Sequence, residues 1–239
     1  MMPNTEIHMR DMDGKLLPKM GVVVGLPCSR LVMPEWAVAL ATQAWPINTN
    51  VCYVPIHCEN KKTGFQGIPR DKARNLVVES AQKMGAPYVL FIDDDTEIPY
   101  GTCRQLMRTM SQATEDVVAV AGIYPAKRLP IEPIVYKENG AGPYYHWDKG
   151  EIFPVKLIGT GCMLIKTAVF HYLEKPWFKD VDTDMLQITD DAWFCGQLET
   201  KGFKVLADAN VLCTHWDMDT MTPYRFEDSF FEAKKALAV

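Results

Sequence analysis

The chain is 239 residues long, with 48% apolar and 23% charged side chains, 15 Gly and 16 Pro. That is enough for one sizeable core and excludes a disordered, collagen-like or coiled-coil protein. Lys and Arg number 25 against 30 Asp and Glu, a formal charge of −5, so no basic footprint for a phosphate backbone covers the surface and nucleic acid is excluded as a first partner.

Residues 1–19 mix Glu6, Arg10, Asp11, Asp13 and Lys15 among few consecutive apolar residues. They lack the apolar region of a secretory signal and read as a flexible leader to a single domain over 20–216. The apolar run Gly21 to Gly25 predicts a strand, closed by Leu26-Pro27, and Pro34 opens a helix with apolar residues at 36, 40 and 44. The longest stretch without an ionised side chain, Trp36 to Cys58, carries Gln43, Pro46, Asn48 and Asn50, so it predicts no membrane span. Val51 to Ile56 predicts a second strand. After a polar loop, Ala73, Leu76, Val77, Ala81 and Met84 recur at helical spacing before Gly85. Tyr88 to Ile92 is a buried-strand pattern that stops in Asp93-Asp94-Asp95, and a helix through Cys103, Leu106, Met107 and Met110 leads to a strand over Val117 to Ile123.

Such alternation predicts an α/β fold: a mostly parallel sheet with helices on both faces, binding its ligand beyond the carboxyl ends of the strands. The second half reads differently. Ile134 to Tyr136, Tyr144 to Trp147 and Ile152 to Ile158 are short strands between turn signals, a small antiparallel addition. Gly159-Thr160-Gly161 then leads into Cys162 to Ile165 and a helix around Thr167 to Leu173. Asp190 and Asp191 begin an amphipathic segment stopped by Gly202; strands follow near 203–206 and 211–213, with His215 just after the last. Residues 217–239 form a tail whose stripe Phe226, Phe230, Ala233 and Leu237 predicts a short helix packed back on the domain.

Seven Cys, at 28, 52, 58, 103, 162, 195 and 213, are scattered singly, as expected of reduced core thiols in a cytoplasmic protein. Cys52, His57 and Cys58 have no second ligand pair, so packing rather than zinc explains them. The chemistry concentrates elsewhere. Three consecutive carboxylates at a strand end repel one another and are tolerated most readily around a cation. Either Asp93 and Asp95 or Asp94 and Asp95 can present hard oxygens to Mg²⁺ or Mn²⁺; the bland reading is a solvated loop capping the next helix. Arg70, Lys72 and Arg74 open the preceding helix, where Arg suits bidentate contacts with phosphate and Lys72 reads as a solvated charge. Tyr144, Tyr145, Trp147, Trp177 and Trp216 fit either a stacking face for a glycan or the core.

The ordered set Val22 to Pro27, Arg70-x-x-x-Arg74-Asn75, Phe91-Ile-Asp-Asp-Asp95, Gly159-Thr-Gly-Cys-Met-Leu164, Thr189-Asp-Asp191 and Thr214-His215 resembles the GT-A glycosyltransferases, particularly the inverting family 2 group. The resemblance spans about residues 20–216 and implies a nucleoside-diphosphate-sugar donor, an acceptor hydroxyl and Mn²⁺ or Mg²⁺. By the same likeness Leu26, Pro27 and Ser29 would line the nucleotide pocket, and Arg70 or Arg74 would reach the base or diphosphate. Asp93 and Asp94 would sit near ribose or metal, and Asp95, with His215 and Asp93, would ligate the metal. Asp191, the second of the acidic pair, would be the catalytic base, with Asp190 the other catalytic candidate, since its shorter side chain leaves open which carboxylate addresses the acceptor. Two departures stand out: Asp190 replaces the usual Glu, and nothing after His215 matches the long extension of polysaccharide synthases. Two other readings are a sugar nucleotidyltransferase, which would release pyrophosphate and use a Gly-rich loop not evident here, and an inactive GT-A module that only binds nucleotide or glycan.

Overall fold

A computed structural model describes residues 20–237 apart from 30, 48, 61–63, 65, 139, 184 and 185; the predicted leader, 1–19, lies outside the described residues. In chain order the elements are β1 (Met20–Cys28), α1 (Pro34–Ala41), β2 (Asn50–His57), α2 (Arg70–Lys83), β3 (Tyr88–Ile92), β4 (Thr96–Glu97), α3 (Thr102–Gln112), β5 (Val117–Ile123), β6 (Val135–Tyr136), β7 (Ile152–Val155), β8 (Leu157–Ile158), β9 (Cys162–Lys166), a 3₁₀ turn (Thr167–His171), β10 (Val181–Thr183), β11 (Leu186–Ile188), α4 (Asp190–Thr200), β12 (Lys204–Leu212), β13 (Thr214–Asp217), β14 (Thr222–Tyr224) and α5 (Asp228–Leu237).

Seven strands form one sheet in the order β2-β1-β3-β9-β5-β12-β7. β1 runs parallel to β2 and β3, and β12 parallel to β5, whereas β9 and β7 run antiparallel to their neighbours. Central strands are apolar on both faces because helices cover both: Val22, Val23, Val24, Val89, Leu90, Phe91 and Ile92 are all fully buried. Burying each such side chain is worth about 1.5–3 kcal/mol relative to leaving it in water. One core layer gathers α2 and α4 residues such as Val77, Phe194 and Leu198; the other gathers Trp36 of α1 with Leu106 and Met110 of α3.

Five readings change. Cys162 to Ile165 is β9, inserted antiparallel in the middle of the sheet, because the tight Gly159-Thr160-Gly161 turn reverses the chain there. β7, part of the expected antiparallel addition, runs antiparallel to β12 at the sheet edge, but residues 144–147 form no strand. The two predicted strands at 203–206 and 211–213 are one continuous strand, β12. His215 lies within β13, held between β4 and β14. The Thr167 helix is a single 3₁₀ turn. At the C-terminus Phe230 of the expected stripe and its neighbour Phe231, both on α5, pack on the buried Trp147 ring; Phe226 also packs there but precedes the helix, and the side chains of Ala233 and Leu237 lie outside the described set.

The glycines of the Gly159-Thr160-Gly161 turn are demanded by a close approach. A Cβ on Gly159 would lie 2.0 Å from the Tyr124 hydroxyl, and one on Gly161 2.8 Å from both that hydroxyl and Thr96 Oγ1. Tyr124 is buried, and its hydroxyl accepts the Gly161 N–H at 2.9 Å. Gly159→Ala should therefore destabilise the protein by about 1–3 kcal/mol, the usual result of forcing an extra methyl into a packed site. A urea melt reads the loss, and Tyr124→Phe in the same background should recover part of it by removing the clashing oxygen.

Candidate active site

The site forms where β1 and β3 end side by side, and the carboxylate triplet stands at the end of β3. Its three members face different partners. Asp93 accepts both a hydrogen bond from Arg74 Nη2 at 2.9 Å and, through its backbone carbonyl, one from the Trp36 indole at 2.8 Å. Asp94 accepts the Ser29 backbone N–H at 2.6 Å and the Ser29 hydroxyl at 3.1 Å, which ties the β1 loop to the triplet. Asp95 lies between Lys127 at Oδ2 and His215 Nε2, 3.5 Å from Oδ1. Burial alone would raise the Asp95 carboxyl, but His215 and Lys127 outweigh it and hold it well below the usual carboxylate range.

Arg74, opening the second turn of α2, is 1% exposed and joins the two acidic motifs. Its Nε donates to Asp190 Oδ2 at 2.7 Å while Nη2 holds Asp93, and its guanidinium plane lies 5.2 Å from the Phe91 ring centre. Residues 116 positions apart in sequence are thus one buried ion cluster. Asp190 itself is buried, and its backbone N–H donates to Asp180. Asp191, the next residue, uses Oδ1 to accept the Thr189 hydroxyl and, at 2.8 Å, the Ala192 N–H. Its Oδ2 has no hydrogen-bond partner among the described residues. Burial first, and then the neighbouring Asp190, push the Asp191 carboxyl above its ordinary range against the opposing Thr189 bond.

Arg70 and Arg74 look alike in sequence, and the structure separates them. Arg74 is enclosed with two carboxylates, whereas Arg70, one helical turn earlier, is exposed and makes no ion pair among the described residues. Asp93, Asp190 and Asp95 nevertheless act on Arg70 and raise its basicity against the cost of desolvation, so it faces the same cluster. Leu26 and Pro27 are buried, Leu26 within the core layer of Trp36, and Ser29 is the β1-end residue that reaches the triplet. Trp147, Trp177 and Trp216 are core residues; Tyr144 and Tyr145 are half-buried.

The fit to a divalent cation turns on Asp95 and His215. His215 Nδ1 is 2.8 Å from the Pro125 carbonyl, which only accepts, so Nδ1 carries the proton and Nε2 is turned to Asp95. Two ligands about 2.1 Å from a shared hexacoordinate ion lie roughly 3 Å apart, close to the separation seen. Among the described residues no group of three or more His, Cys, Asp or Glu could hold a metal ion. The pair fits a cation that takes its remaining ligands from water and substrate phosphates, the habit of Mg²⁺. Asp93 is held by Arg74 rather than turned to this pair.

The residues that the sequence reading missed are Lys127 and Tyr124. Both lie just past the carboxyl end of β5, the kind of place where a parallel sheet gathers functional groups, and that position was the available signal.

No family model matches the chain, and no curated protein matches it. Among solved structures, the crystal structure of A197 from STIV is similar at TM-score 0.59 and 14% identity, over 87% of this chain and 95% of that one. The crystal structure of GalNAc-T7 with UDP, GalNAc and Mn²⁺ is similar at TM-score 0.55 and 12% identity, over 87% of this chain. The fold is GT-A. The match takes in 46% of the GalNAc-T7 chain, so the likeness covers less than half of that protein. S. aureus TarS is a more distant match, at TM-score 0.48 and 15% identity over 80% of this chain and 35% of its own. No described helix of the GT-A chain is long and apolar enough to cross a membrane, and all seven Cys are free thiols.

Proposed function

We propose that the protein is a glycosyltransferase that moves a sugar from a nucleoside diphosphate to an acceptor hydroxyl with inversion at the anomeric carbon. The observation that carries this reading is the buried Arg74, which joins the Asp93 to Asp95 triplet to the Asp190-Asp191 pair at the carboxyl end of the sheet. An arrangement of that kind brings a phosphate-facing end and a proton-accepting end into one cleft. The donor diphosphate lies along the triplet, where Arg70, which makes no ion pair among the described residues, supplies a guanidinium. Asp191 Oδ2 takes the proton of the acceptor hydroxyl as that oxygen bonds to the anomeric carbon; the bond from that carbon to the diphosphate oxygen breaks, and its electron pair leaves with the nucleoside diphosphate. A divalent cation, Mn²⁺ or Mg²⁺, held by Asp95 and His215 would neutralise charge on the leaving diphosphate. Asp190 is a positioning residue: its side chain is committed to Arg74 and to the helix start that presents Asp191.

Ligands that select the folded state raise its stability by mass action, about 2.7 kcal/mol at a hundred times the dissociation constant. UDP, GDP, ADP or CDP with Mn²⁺ is therefore expected to raise the melting temperature, and excess chelator to abolish most of the shift. Absence of a shift with every nucleotide would overturn the donor assignment, and an undiminished shift in chelator would overturn the metal.

A further inference from the structure

Lys127 is a cation already seated on the carboxylate assigned to the metal. It extends from the loop after β5, which is braced by three contacts: Pro125 bridges to Pro133, the Ala126 N–H donates to the Glu132 carbonyl at 2.7 Å, and Arg128 pairs with Glu132. The same loop gives its Pro125 carbonyl to His215 Nδ1. One short loop thus orients the imidazole and places an ammonium on the opposite oxygen of Asp95. Asp95 and Lys127 are 14% and 26% exposed at their side chains, so the pair is only partly screened by water.

We propose that Lys127 is the resident counter-ion of Asp95, that it opposes divalent-cation binding while the cleft lacks nucleotide, and that it moves to the donor diphosphate when the two bind together. A +1 and a +2 charge sharing one carboxylate repel, so the ion gains affinity when the ammonium leaves. The diphosphate is the one anion in the proposed reaction that can draw the ammonium away. This ordering makes cation and nucleotide bind cooperatively, because each removes a cost from the other. The inference rests on the glycosyltransferase reading only in its second half.

The test is calorimetric titration of Mn²⁺ alone into the wild type, Lys127→Met and Lys127→Arg, followed by titration of the tightest of UDP, GDP, ADP and CDP at saturating Mn²⁺. Lys149→Met, which removes an equal charge from an exposed pair with Asp228, is the control. Lys127→Met is expected to tighten Mn²⁺ by about tenfold or more and to weaken the nucleotide by a similar factor, with Lys127→Arg close to wild type and the control unchanged. Unchanged or weaker Mn²⁺ affinity in Lys127→Met, with an intact melting curve, would overturn the counter-ion role. Tighter Mn²⁺ with unchanged nucleotide affinity would overturn the transfer to diphosphate. If no nucleotide binds the wild type, the donor reading fails while the Mn²⁺ comparison still decides the counter-ion role.

Discussion

Asp191→Asn is expected to lower turnover by about 10²–10⁴ while leaving donor affinity close to wild type, the behaviour of a group needed in the transition state alone. Asn keeps the Oδ1 acceptor that holds the Thr189 hydroxyl and the Ala192 N–H, so the start of α4 survives the change. If Asp191 were only a helix cap, its loss would cost about 1 kcal/mol of stability and leave the rate nearly intact. The pH dependence separates the two further. Burial and Asp190 raise the Asp191 carboxyl in the folded protein, so it becomes protonated at a higher pH than an ordinary Asp near 3.9. Turnover should fall as pH drops through that raised value, and the acidic limb should vanish in Asp191→Asn. The sign for stability runs the other way: a raised carboxyl favours the fold below its unfolded value and loses that contribution as pH rises through the folded one, so the variant should be no less stable at pH 7. Single-turnover rates from pH 4 to 8 with donor affinity alongside provide the check. Near-normal turnover in Asp191→Asn with collapse in Asp190→Asn would move the base to Asp190.

The order of strands and helices through β5 is legible because each element carries its own period and stop signal: Tyr88 to Ile92 is apolar on both faces and ends at charge, and Pro34 and Gly85 mark helix limits. What local pattern leaves open is direction and partnership. Cys162 to Ile165 reads as a strand, yet its antiparallel place between β3 and β5 depends on a turn that only the Tyr124 hydroxyl explains, from 35 residues away in sequence at Gly159. Arg70 and Arg74 are a second instance. Four residues apart on one helix start, they share a chemistry and a prediction, and only contacts distant in sequence, above all Asp190, distinguish the buried Arg74 from the exposed Arg70. Lys127 was invisible for a related reason: a single Lys after a strand carries no motif, and its meaning comes from Asp95 across the cleft.

Arg74→Met is expected to be the most damaging substitution to the fold, destabilising it by about 3–5 kcal/mol, the usual result of removing one partner from a buried ion cluster. Met fills comparable volume against Phe91, so the loss measures charge rather than a cavity. Two carboxylates, Asp93 and Asp190, would lose a guanidinium that contacts them at 2.9 and 2.7 Å, and both lie at the end of a sheet where little water reaches. The competing account is that Arg74 is one more surface-type pair worth at most about 1 kcal/mol. Non-additivity decides between them. If the cluster is a unit, Arg74→Met combined with Asp190→Asn removes a charge of each sign and should recover part of the loss, because residues within one network do not contribute independently. Urea denaturation of the two single variants and the double one measures the coupling. A double variant that loses the sum of both single effects would mean that Arg74 and Asp190 do not support each other, and the link between the triplet and the acidic pair would then have to be carried by backbone alone.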